Sequence, residues 1–125
     1  EQTMQIIQNI EDEKSPEEHT SAMVQKAQQL ILQYYDQGIT LEEIAGKLVV
    51  SEEYLSTQFK KETGMTFSET VRKYRIEKVK KLLLETPFKL NQIAELAGYS
   101  DSKYMSKVFK EEVGMLPSEY RKSLH

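Results

Sequence analysis

The most informative feature of this chain is the spacing of its apolar residues, which recur every three or four positions, as on one face of a helix. Capping residues, glycines and a proline divide this pattern into segments. Helices are predicted from Ser15 to a stop at Gly38, at about 41–48, 51–63, 66–85, 90–97 and 101–113, and from Pro117 onward. No segment alternates with the period of a strand. The predicted fold class is therefore all-α, with about seven helices.

Two stretches of this pattern are copies of each other. Residues between Tyr54 and Glu69 recur 50 positions later, whereas Leu41, Ile44 and Ala45 recur 49 positions later. The second copy therefore has one extra residue between its two helices. Similarity at a fixed offset indicates a duplicated supersecondary unit. Each unit is predicted as a helix, a tight turn and a second helix, and the 66–85 helix is predicted to link the two helix-turn-helix subdomains.

The second helix of each unit has an apolar face and a polar face. Leu55 and Phe59 are predicted to point inward in the first copy, as are Met105 and Phe109 in the second. The outer faces carry Glu52, Glu53, Ser56, Thr57 and Lys60 in the first copy, and Ser102, Lys103, Ser106, Lys107 and Lys110 in the second. A protruding helix of this kind can enter the major groove of DNA and present side chains to base edges. A small helical bundle would show similar stripes, but packing alone does not require the outer serine and lysine residues to recur.

Charge is distributed unevenly along the chain. The formal net charge is −3, yet residues 1–39 carry −5 and residues 67–89 carry +4. Local patches rather than the total set the field that a phosphate meets. The basic excess lies on the linking helix, where the run Lys78–Lys81 is either a solvated face or a track for phosphates. Residues 1–14 are predicted as a linker tail from an upstream region, and residues 15–125 as one double helix-turn-helix DNA-binding domain.

The residue types that carry catalysis are sparse. There is no cysteine, and the two histidines, His19 and His125, are far apart in the sequence. No glycine-rich phosphate loop is present, so neither an enzyme nor a metal or cofactor site is predicted. No apolar run approaches the ~18 residues of a membrane span. Tyr54 and Tyr104 are predicted to pack in the core or at a hinge rather than to stack on bases.

One segment of the second copy carries a specific motif. Residues 93–121 read Ile-Ala-x2-Ala-Gly-Tyr-Ser-Asp-x2-Tyr-Met-Ser-x2-Phe-Lys-x3-Gly-Met-x-Pro-Ser-Glu-Tyr-Arg. This closely resembles the signature of the AraC/XylS family of transcription regulators, and the likeness extends over about residues 21–121. The pattern is most similar to the C-terminal output domains of response regulators in this family. The resemblance implies a bacterial, cytoplasmic regulator whose two recognition helices, about 51–63 and 101–113, read successive major grooves.

The resemblance and the outer faces together assign candidate DNA contacts. The predicted base readers are Glu53, Ser56, Thr57, Ser102, Lys103, Ser106 and Lys107. The predicted phosphate contacts are Lys60, Arg72, Lys73, Arg75 and Lys110. Thr57 and Lys107 stand where family members usually carry arginine, so the bidentate fork of a guanidinium is absent at both positions. Lys89 and Leu116 stand where a Ser or Thr cap is usual, which should cost local stability.

Two functions from different classes compete. The first is sequence-specific binding of double-stranded DNA, with the isolated fragment a monomer and the full-length protein a dimer through its upstream region. The second is a helical protein-interaction module that docks on RNA polymerase or on a partner regulator. The acidic Glu52 and Glu53 favour the second, whereas the basic linking helix and the lysines of the second copy oppose it.

Overall fold

The computed structural model of the protein describes residues 20–123. Within that range the chain forms seven α-helices and no strand. They are α1 (Ala22–Tyr34), α2 (Leu41–Leu48), α3 (Glu52–Thr63), α4 (Phe67–Glu85), α5 (Leu90–Ala97), α6 (Ser102–Val113) and α7 (Pro117–Ser123), with a short 3-10 turn (Tyr35–Gln37) after α1. The predicted all-α fold is confirmed. The predicted linker tail lies outside the described residues. The prediction of one helix from Ser15 to Gly38 is wrong, because Ser21 caps a helix that begins at Ala22 and ends at Tyr34.

Most of these helices begin at a side-chain cap. Ser21, Ser51 and Asp101 each accept a hydrogen bond from the backbone N–H three residues later. Thr40 and Thr66 do the same. In these two caps a second bond forms, in which the backbone N–H of the threonine donates to the carboxylate of the glutamate three residues later. At Lys89 and Leu116 only the second bond forms, in which the backbone N–H donates to Gln92 Oε1 and Glu119 Oε1 respectively. These two helix starts thus keep half of the capping interaction.

The helices pack into two lobes, each with its own core. The first lobe holds α1, α2, α3 and the start of α4 around the buried residues Val24, Ala27, Ile31, Ile44, Ala45, Leu55, Phe59 and Val71. The second lobe holds the rest of α4 with α5, α6 and α7 around Ile76, Val79, Leu83, Ile93, Ala94, Ala97, Tyr99, Met105, Val108 and Phe109. Because α4 supplies apolar side chains to both cores, it is the predicted linking helix.

The turns between α2 and α3 and between α5 and α6 differ as the repeat predicts. Three residues separate the first pair of helices and four separate the second pair. Both turns begin with a residue in the left-handed region, Val49 at φ 58° and Gly98 at φ 96°. A β-branched residue rarely adopts this conformation, and Val49 is 87% exposed, so nothing packs over its side chain.

Candidate nucleic-acid interface

Helix α3 presents the polar face that the sequence predicts. Leu55 and Phe59 are each only 1% exposed and anchor the helix in the first core. The opposite face leaves Glu53, Ser56, Thr57 and Lys60 exposed. An open hollow of about 510 Å³ lies on this face. It is lined by Leu41, Glu52, Glu53, Ser56 and Thr57. Two carboxylates and two hydroxyl groups therefore share one concave surface, which can accept and donate hydrogen bonds.

Helix α6 presents a different polar face. Met105 and Phe109 are fully buried, and Val108 joins them in the second core. Lys103, Lys107 and Lys110 are exposed, whereas Ser102 and Ser106 are half-buried. None of the three lysines forms an ion pair within the described residues. This face consequently carries three unpaired positive charges where the matching face of α3 begins with two glutamates.

The basic residues of α4 fall into two groups. Lys73 is exposed and forms no ion pair with the rest of the described chain. The Arg72 guanidinium lies 3.2 Å from the Glu112 carboxylate, with both side chains about half exposed. The Arg75 Nε donates to the Tyr35 carbonyl oxygen at 3.0 Å. Two of the five predicted phosphate contacts therefore already have partners within the protein. Glu112 lies on α6, and Tyr35 lies in the turn after α1.

Arg75 also packs against an aromatic ring. Its guanidinium carbon lies 5.5 Å from the centre of the Tyr99 ring, within the range of a cation–π contact. Tyr99 is 7% exposed, and its hydroxyl has no hydrogen-bond partner among the described residues. Burial raises the pKa of Tyr99 to about 12, and the nearby Arg75 charge offsets only part of that effect. Tyr99 is therefore a neutral phenol at all pH values near 7.

The prediction for the two repeated tyrosines is wrong in part. Tyr54 and Tyr104 are 53% and 52% exposed, so neither lies in a core. Tyr104 does pack edge-on against Tyr99, with the ring centres 5.9 Å apart. Each tyrosine is the third residue of its helix and precedes the first buried residue of that helix, Leu55 or Met105.

The described residues offer no other chemistry at this face. They contain no group of three or more His, Cys, Asp or Glu residues that could hold a metal ion. No helix among them is both long and apolar enough to cross a membrane.

Comparison with known proteins gives consistent results. Residues 44–123 match a family described as a helix-turn-helix domain. The chain is 40% identical over 87 residues to an uncharacterized HTH-type transcriptional regulator, YtdP, of Bacillus subtilis; the match covers 70% of this chain and 11% of that protein. The chain thus spans about a tenth of the length of this relative.

Two solved structures have the same architecture. The C-terminal domain of AraT, a response regulator from Geobacillus stearothermophilus, is 39% identical, with a TM-score of 0.81 over 84% of this chain and 88% of that one. The DNA-binding domain of AdpA, solved with a target DNA, has a TM-score of 0.77 over 82% of this chain and 93% of that one, at 17% identity. The second likeness concerns the fold alone.

Proposed function

We propose, since the chain belongs to the AraC/XylS family of DNA-binding transcription regulators, that α3 and α6 enter successive major grooves on one face of the duplex. The observation that carries this proposal is the shared linking helix. Helix α4 has 19 residues and supplies side chains to both cores, so it is a single rigid element of about 28 Å. Such an element can hold two recognition helices at the ~34 Å that separates two turns of DNA.

We assign base reading to exposed and half-buried polar residues on the outer faces of the two recognition helices. In α6 these are Ser102, Lys103, Ser106 and Lys107, and in α3 they are Glu53, Ser56 and Thr57. Lysine can donate to guanine O6 and N7, and glutamate can accept from cytosine N4. Because the two faces differ in charge, they cannot read two identical half-sites. The preferred site is therefore asymmetric and is bound by one copy of the domain.

We assign phosphate contacts to the cations that have either no ion-pair partner among the described residues or only a weak one. Lys60, Lys73 and Lys110 are exposed and unpaired among the described residues, so each can meet a phosphate at little cost. Arg72 can do so by exchanging Glu112 for a phosphate, because that ion pair is about half exposed and weak. Arg75 would have to leave both Tyr35 and Tyr99, so we propose an internal role for it.

The likeness to a response-regulator domain supports a proposal about the whole protein. We infer that the chain is the output domain of a bacterial cytoplasmic regulator that dimerises through an upstream region. Docking on RNA polymerase is the second candidate. It is favoured only by the acidic hollow of α3, where Glu52 and Glu53 would repel phosphates.

The test is selection from random duplexes with the isolated domain, followed by titration of the selected site over a range of salt concentrations. We expect log affinity to fall linearly with log salt, at about −0.9 per phosphate contact. The matched variants are Lys73→Ala, which should reduce that slope by about 0.9, and Lys26→Ala, which removes an exposed lysine from α1, outside the proposed face, and should not alter the slope. Salt-independent binding, or no selected site, would support the docking module.

A further inference from the structure

The short turn after α1 belongs to the first lobe in sequence but touches the second. Tyr35 packs against the first core, and the Tyr35–Gln37 turn contacts both α4 and α5. These contacts add to the linking helix a second connection between the lobes.

Two cations of α4 donate hydrogen bonds to this turn. The Arg75 Nε donates to the Tyr35 carbonyl oxygen at 3.0 Å, and the Lys78 ammonium donates to Asp36 Oδ2 at 2.7 Å. The Lys78 and Asp36 side chains are 28% and 22% exposed, so water screens this pair less than it screens a surface pair. Both bonds are charge-assisted, so each is stronger than a hydrogen bond between neutral groups.

Backbone from the second lobe also lies against this turn. A Cβ placed on Gly98 would lie 2.9 Å from the Cα of Asp36 and 3.1 Å from its carbonyl carbon. The α5–α6 turn therefore approaches the Tyr35–Gln37 turn so closely that no side chain fits between them. At the matching position of the first copy, Val49 has the same left-handed backbone but is exposed. The first copy keeps a side chain because no lobe lies against its turn.

We propose that the Tyr35–Gln37 turn, with Arg75, Lys78 and Gly98, forms an inter-lobe clamp that determines which spacing between the two DNA segments the protein accepts. This rests on the proposed function. Insertion of one base pair displaces the second groove by ~3.4 Å and rotates it by about 35° around the duplex axis. To follow that change, the second lobe must move relative to the first, which separates Gly98 from Asp36 and stretches the 2.7 Å bond of Lys78. The clamp resists this movement.

The test compares the dissociation constant on the selected site with that on sites carrying one base pair more or less between the two segments. The wild-type domain should lose at least about tenfold on the altered spacings, the cost of losing the contacts to one base pair. Lys78→Ala and Asp36→Asn should each reduce that penalty by about two- to fivefold, the weight of one ion pair. Gly98→Ala should reduce it further.

The matched control is Lys80→Ala. This substitution removes the same charge from the same helix. The partner of Lys80 is Glu77, which also lies on α4, so this ion pair does not connect the two lobes. The spacing penalty of this variant should equal that of the wild type. If Lys78 merely contacted a phosphate, its replacement would weaken binding on all three spacings alike and leave the penalty unchanged.

The outcomes separate this inference from the proposed function. Absence of salt-dependent binding to any selected duplex would remove the proposed function itself. Binding with the same spacing penalty in the wild type, Lys78→Ala and Asp36→Asn would overturn the clamp alone, even if Gly98→Ala did not fold. A wild-type domain that accepted all three spacings equally would overturn it as well.

Discussion

Replacement of Arg75 distinguishes an internal role from a phosphate contact. Arg75→Ala removes a charged hydrogen bond to the Tyr35 carbonyl and a cation–π contact with the Tyr99 ring. A hydrogen bond to a charged group contributes about 1.5–3 kcal/mol, and a cation–π contact about 0.5–2 kcal/mol. Arg75 is only half-buried and the two contacts share one side chain, so we expect a loss of about 2–3 kcal/mol of unfolding free energy.

Urea unfolding of the isolated domain measures this loss. At a slope of about 2 kcal/mol per molar urea, the midpoint should fall by roughly 1–1.5 M. The control is Lys73→Ala, which removes a positive charge two residues earlier on α4 from an exposed position. Its free energy of unfolding should stay within about 0.5 kcal/mol of that of the wild type.

DNA titration of the same two variants completes the comparison. With Arg75→Ala the slope of log affinity against log salt should be unchanged, whereas with Lys73→Ala it should fall by about 0.9. A stable Arg75→Ala protein with a reduced slope would refute the internal role and restore Arg75 to the phosphate contacts.

The remaining predictions concern the recognition faces and one buried phenol. Lys107→Ala should cost about 1–3 kcal/mol of binding and relax preference at one base pair, whereas Lys110→Ala should weaken all sequences alike; binding to a panel of single-base variants separates the two. If Glu53 reads cytosine, Glu53→Gln should lower preference at that base pair while general affinity rises, measured on the same panel. The raised pKa of Tyr99 means that the folded state favours the neutral phenol, so stability should fall as pH rises from 10 to about 12. Tyr99→Phe should remove that part of the decline in urea unfolding series across this range, and an identical decline would contradict it.

Local features of the fold could be predicted from the sequence because their causes are local. Thr40 with Glu43, and Thr66 with Glu69, satisfy the first backbone N–H groups of their own helices, so four residues suffice to place a helix start. The repeat then determined the architecture, since two copies of one unit require a segment to join them. The outward faces followed from helical periodicity alone.

The contacts between the lobes had no such local signal. Asp36 and Lys78 are 42 positions apart and Arg72 and Glu112 are 40 apart, and neither pair belongs to a periodic pattern. On sequence alone, a lysine that binds a carboxylate of another element cannot be distinguished from a solvated one. For this reason the sequence predicts Arg75 as a phosphate contact together with its exposed neighbours, and it leaves the run Lys78–Lys81 open between a solvated face and a track for phosphates. Lys78 and Lys80 in fact bind Asp36 and Glu77 respectively.

We propose that one copy of this domain reads two unlike major-groove segments one helical turn apart. Chemical footprinting of guanine N7 atoms on the selected duplex, at a protein concentration where a single copy is bound, tests it most directly. We predict two protected segments of different sequence, centred about 10 base pairs apart on one face of the DNA. Lys107→Ala should remove protection from one segment only. A palindromic site protected by two copies, or a single protected segment, would show that one copy does not read two unlike segments.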